Sequence, residues 1–214
     1  DDSKLDVLLL TMLDEIAWLT NLRGSDIEYN PVFEAYAAIF QDRALCFCHH
    51  PDANLSEHCP EWEFRPYAEY IGFLAELAQE EAVKVWLDPS TITMGTRMAF
   101  ADAQVFEKCS PIVLAKALKN STEISATKNA HKQAGVGVIK SFRRLQNAFE
   151  RGQPVTEKEF SNWLHQAYSQ AEDFSDLSFG TIAGSGPNGA IVHYGNQDSK
   201  NPMRPGELLL VDSG

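Results

Sequence analysis

The chain has 214 residues, of which 44% are hydrophobic and 22% are charged, and its formal net charge is −12. A chain of this length and composition can bury one large core or two small ones, which excludes the disordered and fibrous classes. Its acidity disfavours nucleic acid and anionic lipid as partners, and no apolar run approaches the roughly 18 to 20 residues that cross a bilayer, so we expect a soluble protein.

The acidic residues are concentrated in the first part of the chain. Residues 1–118 carry 8 basic and 20 acidic side chains, whereas residues 119–214 carry 10 of each. This shift predicts two units, which we assign to residues 1–117 and 118–214, with a connector from Ser110 to Asn120. The sequence opens on Asp1-Asp2-Ser3 without an initiator Met and stops on a turn signal, so we expect it to be a piece of a longer protein.

The first unit alternates short apolar runs with helical patterns. Strands are predicted at Leu5–Thr11, Val32–Phe40, Ala44–His49 and Val83–Leu87. One helix is predicted to start at an Asp14 cap and to end at Gly24. A second helix follows Pro66, and its predicted buried face consists of Tyr67, Tyr70, Ile71, Leu74, Leu77 and Ala78. Strands alternating with helices predict an α/β fold in which helices flank a mixed sheet.

Two capping boxes predict the helices of the second unit. The first box, at 120–123, starts a long helix that runs to about Gly152, and the second, at 156–159, starts a shorter one. The first helix carries a predicted apolar stripe of Ala130, Ala134, Val138, Phe142, Leu145 and Phe149. The stripe of the second helix is Phe160, Trp163, Leu164, Ala167, Tyr168 and Ala171. Six basic residues on the long helix indicate a solvated face, or a complement to the acidic first unit, rather than a nucleic-acid site.

The remainder of the second unit is predicted to contain a hairpin and one last strand. The hairpin would pair Phe179–Ala183 with Ala190–Tyr194 through the glycine-rich turn 184–189. No helix start follows this turn, so it lacks what a phosphate cradle requires. The last strand is predicted at Glu207–Asp212.

A cysteine- and histidine-rich segment allows two interpretations. Cys46, Cys48, His50 and His58 are residue types that bind zinc, but their spacing is poor for a structural site. The alternative is a strand whose small thiols face inward, followed by a polar loop at Pro51–Ser56. The four cysteines of the chain suit a reduced, intracellular protein.

Asp212 and His193 are the candidate functional residues. Asp212 ends an apolar strand, where a carboxylate is either a turn residue or a site residue that needs a partner or a metal. His193 alternates with Ile191 on a predicted strand face, where it is either structural or part of a site. The residues alone leave both pairs of alternatives open.

Several strings of residues, in order along the chain, resemble the long Xaa-Pro aminopeptidases (aminopeptidase P). The segments 13–26 and 30–33 resemble the second domain of these enzymes. The segments 177–179, 185–194 and 211–214 resemble the beginning of their catalytic domain, which has the pita-bread α+β fold. The segment 41–63, which contains Cys46, Cys48 and Cys59, is the weakest part of the resemblance.

The resemblance implies a specific chemistry. Such enzymes are usually dimeric and cytoplasmic, with two creatinase-like N-terminal domains before a catalytic domain that holds two divalent ions, typically manganese. Two Asp, one His and two Glu bind the ions, and a bridging hydroxide attacks the carbonyl before a proline in the second position of a peptide. Asp212 matches the first metal-binding Asp, and His193 matches a histidine that lines the site and assists substrate binding.

The other four metal ligands of the family have no counterpart in residues 1–214, since the second Asp would lie eleven residues beyond Asp212. We therefore expect the parent protein to be a metalloaminopeptidase and this segment alone to be inactive and largely metal-free. The alternative is a non-catalytic interaction module of creatinase-like fold. We also expect self-association through the apolar stretch Leu208–Val211.

Overall fold

The computed structural model describes residues 5–195, 200 and 202–214, so the Asp1-Asp2-Ser3 opening lies outside the described residues. The chain divides into two compact units, Asp1–Leu118 and Lys119–Gly214. No helix among the described residues is long and apolar enough to cross a membrane.

The first unit contains a six-stranded sheet with the order β4-β3-β2-β1-β5-β6. Its strands are β1 (Val7–Leu10), β2 (Ala35–Phe40), β3 (Ala44–Cys48), β4 (Trp62–Pro66), β5 (Val85–Leu87) and β6 (Val105–Glu107). The β1–β2 and β2–β3 pairs are antiparallel, whereas β1–β5, β3–β4 and β5–β6 are parallel. The sheet is mixed, as the sequence predicted.

Helices accompany this sheet, and side chains on both of its faces are buried. The helices are α1 (Leu13–Thr20), α2 (Ala53–His58), α3 (Tyr70–Leu77), α4 (Met94–Met98) and α5 (Pro111–Ala117). One core contains Leu45 and Phe47 of β3 with Leu74 of α3, and the other contains Cys46 of β3 with Ile16 of α1. Successive residues of β3 thus enter opposite cores, which explains why the central strands have uninterrupted apolar sequences.

Several predicted boundaries in this unit were wrong. Asp14 lies in the first turn of α1 rather than at its cap, and the helix ends at Asn21, whose φ of 53° is left-handed, rather than at Gly24. Asparagine tolerates this conformation because its short polar side chain can bond locally. Pro66 closes β4 and precedes a 3-10 turn, so α3 begins only at Tyr70.

Two strands and three helices of this unit, β4, β6, α2, α4 and α5, were not predicted. β4 and β6 are the edge strands of the sheet, and each pairs with one neighbour. β6 has only three residues, whereas in β4 the apolar Trp62 and Phe64 alternate with Glu63 and Arg65, a strand signal that was overlooked. Within the predicted polar loop, the Asp52 carboxylate accepts a hydrogen bond from the Leu55 N–H at 3.0 Å and thereby caps α2.

The predicted connector contains a helix that belongs to the first unit. The Ser110 hydroxyl accepts a hydrogen bond from the Ile112 N–H, and Pro111 occupies the first turn, so α5 has a strong start signal. Lys116 of α5 forms an ion pair with Asp14 of α1. These contacts hold α5 against α1.

Ser110 also joins two buried carboxylates. Its N–H donates to Asp88 at 2.7 Å, and its hydroxyl donates to Glu15 at 2.9 Å. Burial raises the pKa of Glu15 despite the bond from Ser110. Burial also acts to raise the pKa of Asp88, but hydrogen bonds from Ser90 and Ser110 outweigh it and lower that pKa.

The raised pKa of Glu15 predicts a pH-dependent stability. The folded-state pKa of Glu15 lies above the ordinary value of 4.5. The contribution of its protonated form to the free energy of unfolding is therefore complete below pH 4.5 and is lost as pH rises through the raised pKa. Glu15→Gln is therefore expected to raise the free energy of unfolding at pH 7, and the gain should shrink as the pH falls toward 4.5. Denaturant titrations at several pH values measure this, with exposed Glu76→Gln as the control. An equal change from Glu15→Gln at every pH would contradict it.

The second unit begins with a helical hairpin. Its helices are α6 (Ser121–Glu150) and α7 (Glu157–Tyr168), and both predicted capping boxes are present, with Asn120–Glu123 and Thr156–Glu159 as reciprocal partners. Phe160, Leu164 and Tyr168 of α7 are buried, as predicted. The six basic residues of the predicted solvated face, Lys128, Lys132, Lys140, Arg143, Arg144 and Arg151, are all exposed.

The buried face of α6 differs from the predicted stripe. Its buried residues are Gly137, Ser141, Leu145 and Ala148, and only Leu145 was predicted. A β-carbon on Gly137 would lie 2.8 Å from the Tyr168 ring, so close packing of α7 selects the small residues. Phe142 stays 40% exposed and contacts Phe160 only by its edge.

Candidate functional site

The predicted hairpin in the second unit was wrong. β7 (Ile182–Ser185) pairs antiparallel with β8 (Leu209–Asp212), while residues 186–190 form a 3-10 turn and 191–194 are not a strand. The glycine-rich stretch 184–189 therefore leads into a compact loop. A hairpin was plausible locally, but β8, which begins at Leu209, 24 residues after β7 ends at Ser185, supplies the strand partner of β7.

Asp212 is the last residue of β8 and lies opposite Ile182. Its side chain is exposed. The two following residues are anchored: the Tyr168 hydroxyl and the Ser213 hydroxyl are 2.7 Å apart, and the Ser178 N–H donates to the Gly214 carbonyl at 2.9 Å. The backbone around Asp212 is fixed, while its carboxylate faces outward.

The loop 186–190 folds back over the β7–β8 pair. A β-carbon on Gly184 would lie 2.9 Å from the Asn188 backbone, and one on Gly189 would lie 3.1 Å from the Gly184 carbonyl oxygen and 3.4 Å from the Leu210 side chain. Only glycine permits this approach at position 184. The loop thus rests on β8 two residues before Asp212.

His193 follows this loop, in a turn rather than on a strand. Its φ is 52°, in the left-handed region, and its side chain is exposed. The predicted alternation with Ile191 on one strand face was wrong for that reason. Within the described part of the chain, no hydrogen bond or ion pair joins His193 to Asp212. The structure places Asp212 at the end of β8 and His193 in the turn that follows the loop 186–190.

Sequence reasoning missed a buried carboxylate in this unit. Glu157 was assigned only to a capping box, but it is 3% exposed and accepts hydrogen bonds from the segment that precedes and follows His193. A usable signal was present, because Glu157 occupies the same stripe of α7 as Phe160, Leu164 and Tyr168. A charged residue on an apolar stripe must find partners.

The cysteine- and histidine-rich segment forms no zinc site among the described residues, which contain no group of three or more metal-binding side chains. Cys46 and Cys48 are buried in β3, as the second interpretation predicted. A hydrogen bond between the two thiols and burial raise the pKa of Cys46, while the same bond lowers that of Cys48 to about 7. The His58 ring nitrogen Nδ1 forms a hydrogen bond with the Asn54 carbonyl oxygen of the same helix at 2.8 Å, so this side chain contacts its own helix.

The described residues do not by themselves fit two divalent ions. Asp212 offers an exposed carboxylate of the right chemistry, but a dinuclear site needs several such ligands in one place. Residues 5–195, 200 and 202–214 contain no group of three His, Cys, Asp or Glu that could hold even one ion.

Comparison with known proteins gives a consistent assignment for both units. The model of the creatinase/prolidase N-terminal domain matches residues 1–123, and that of metallopeptidase family M24 matches residues 125–214. The chain is 33% identical to a probable Xaa-Pro aminopeptidase P of Laccaria bicolor, over 99% of this chain and 34% of that protein. It is also 33% identical to Xaa-Pro aminopeptidase 1 of Dictyostelium discoideum, over 98% of this chain and 34% of that protein. The chain thus spans about a third of the length of these relatives.

Solved structures agree on the fold. The X-prolyl aminopeptidase of Caenorhabditis elegans, described as a cytosolic enzyme with a di-nuclear active site, superposes with a TM-score of 0.91 at 26% identity, over 99% of this chain and 36% of that one. The prolidase of Pyrococcus horikoshii matches with a TM-score of 0.67 at 18% identity, which shows the fold alone. The expected creatinase-like mixed sheet followed by part of a pita-bread domain is confirmed. The chain belongs to the family that joins a creatinase/prolidase N-terminal domain to an M24 metallopeptidase domain, and within it resembles the Xaa-Pro aminopeptidases.

Proposed function

We propose that this chain is part of a metal-dependent Xaa-Pro aminopeptidase, which removes the N-terminal residue from peptides with proline in the second position. The observation that carries the proposal is the match over nearly the whole chain to relatives that bear this name. The M24 match over residues 125–214 supports metal-assisted hydrolysis in particular.

Within this function, Asp212 would be one oxygen ligand of a pair of divalent ions, with manganese as the metal. Its exposed carboxylate at a fixed strand end supports the role, because a metal ligand must be both accessible and held in position. His193 would contact the substrate, and its exposed imidazole, three residues after the loop 186–190, supports that role.

We further propose that residues 1–117 are a creatinase-like N-terminal domain and that residues 118–214 are the beginning of the catalytic domain. One carboxylate cannot hold two ions, so residues 1–214 alone would be inactive. The metal and the other ligands would come with the remainder of the protein, which would act in the cytoplasm, as the C. elegans structure's description suggests by analogy.

The test is hydrolysis by the full-length protein that contains this sequence. We expect release of the N-terminal residue from Xaa-Pro peptides, no release from matched Xaa-Ala peptides, and loss of activity on removal of metal by a chelator. Residues 1–214 expressed alone should be inactive under the same conditions. A full-length protein that binds no metal and cleaves neither peptide would favour the non-catalytic interaction module instead.

We also propose self-association through β8, as a homodimer or larger assembly. Leu208 is 87% exposed and Leu210 46% exposed, and among the described residues β8 pairs only with β7. An apolar strand with an open edge favours pairing with another copy. Light scattering of residues 1–214 should give a molecular mass above that of one chain, and Leu208→Lys should lower this mass. A monomer at high protein concentration would rule this out.

A further inference from the structure

We propose that Glu157 is a positioning residue that fixes the segment carrying His193. Glu157 lies in the first turn of α7 and is 3% exposed. A buried carboxylate costs free energy unless several donors satisfy it. A segment that supplies such donors is therefore held in place by Glu157.

One ten-residue segment, 185–194, supplies several of these donors. One carboxylate oxygen of Glu157 accepts from the Ser185 backbone N–H at 2.6 Å. The Asn188 side-chain amide donates to both oxygens, at 3.1 and 3.3 Å. The Tyr194 hydroxyl donates to the second oxygen at 2.9 Å. These anchors lie at the start, in the middle and at the end of the segment 185–194, so His193 is enclosed between two of them.

His193 needs such an anchor because, among the described residues, its own side chain forms no hydrogen bond or ion pair. The imidazole is exposed and the residue has a left-handed φ of 52°. This conformation is unfavourable for a residue with a β-carbon, and it persists only where the surrounding structure imposes it. The bond from Tyr194, the next residue, restrains the backbone at this point. The direction of the imidazole is therefore set through the backbone that Glu157 holds.

The chemistry of the contacts selects a carboxylate. The contacts from Ser185, Asn188 and Tyr194 all donate to Glu157, through a backbone N–H, a side-chain amide and a hydroxyl. A carboxylate only accepts, whereas the amide of glutamine would turn an NH₂ group toward one of these donors. Glu157→Gln removes at least one anchor at nearly constant volume.

The inference rests on the proposed role of His193 in peptide cleavage, so its test uses two independent measurements on the full-length protein. The first is hydrogen–deuterium exchange of the peptide that covers 185–194. The second is steady-state kinetics on a Xaa-Pro peptide. The matched control is Glu159→Gln, which changes a carboxylate in the same helical turn that bonds only to Thr156 among the described residues.

We expect Glu157→Gln to speed exchange in 185–194 by about tenfold or more and to lower kcat by about 10²-fold with a smaller change in KM. Glu159→Gln should change neither the exchange of this segment nor kcat. Glu157→Gln should add little to the loss caused by His193→Ala, because both act through the same group. Tyr194→Phe, which removes one donor and no bulk, should give a smaller change in the same direction and serves if Glu157→Gln does not fold.

Unchanged exchange in 185–194 in both Glu157→Gln and Tyr194→Phe would overturn the inference, as would fully additive losses in the double variant. If the wild-type protein cleaves no Xaa-Pro peptide, the proposed function fails, while the exchange measurement still decides whether Glu157 positions the segment.

Discussion

In the full-length protein, Asp212→Asn is expected to lower kcat/KM for a Xaa-Pro peptide by about 10³-fold. A ligated metal supplies several kcal/mol of transition-state stabilisation, and each 1.36 kcal/mol corresponds to a factor of ten in rate. Asparagine keeps the size of the side chain but loses the negative charge that binds a divalent ion. The variant should therefore also bind less metal, as measured by elemental analysis of the purified protein.

The fold should survive this change, because β8 is paired with β7 through the backbone and the Asp212 side chain is exposed. The matched control is Asp173→Asn, an exposed carboxylate of the same unit outside the segments that resemble the peptidases. Equal activity and metal content in Asp212→Asn and the wild type would remove Asp212 from the metal site. Loss of activity in both variants would instead indicate a general effect of charge.

Much of the fold could be predicted because local signals agreed with the final structure. The reciprocal capping at Asn120–Glu123 requires only neighbouring residues, so the start of α6 was correct. The alternation of strands and helices likewise predicted the mixed sheet. The errors lie where an element distant in the sequence determines which strands pair. β7 was assigned a neighbouring partner, whereas β8 takes that place, and nothing local to 182–194 specifies this.

For the candidate site, the sequence indicates residues but not how they are placed. Asp212 was selected because its carboxylate ends a strand and His193 because of a resemblance over a longer string, and both stay predictions. The strand assigned to His193 was wrong because it depended on the predicted hairpin. Glu157 was missed because its sequence fits a helix start equally well. Its function as an acceptor depends on Ser185 and Tyr194, which approach it only in the folded chain.

The second large effect is expected in α3, where the sequence pattern and the structure disagree. Leu74 and Ile71 were both assigned to the buried face, but Leu74 is 2% exposed and Ile71 is 67% exposed. Leu74 packs in a core with Phe47 of β3 and Val85 of β5. Leu74→Ala is therefore expected to lower the free energy of unfolding by about 2 to 5 kcal/mol, from lost burial and from the cavity that remains.

Ile71→Ala in the same helix is the matched control, and it should change the free energy of unfolding by less than about 0.5 kcal/mol because its side chain is mainly in water. Urea titrations of both variants, followed by circular dichroism, measure the difference. Equal losses at the two positions would mean that α3 buries the wider face that the sequence pattern predicted. A large difference places the helix as the structure has it, with the Tyr70–Leu74–Leu77 side against the sheet.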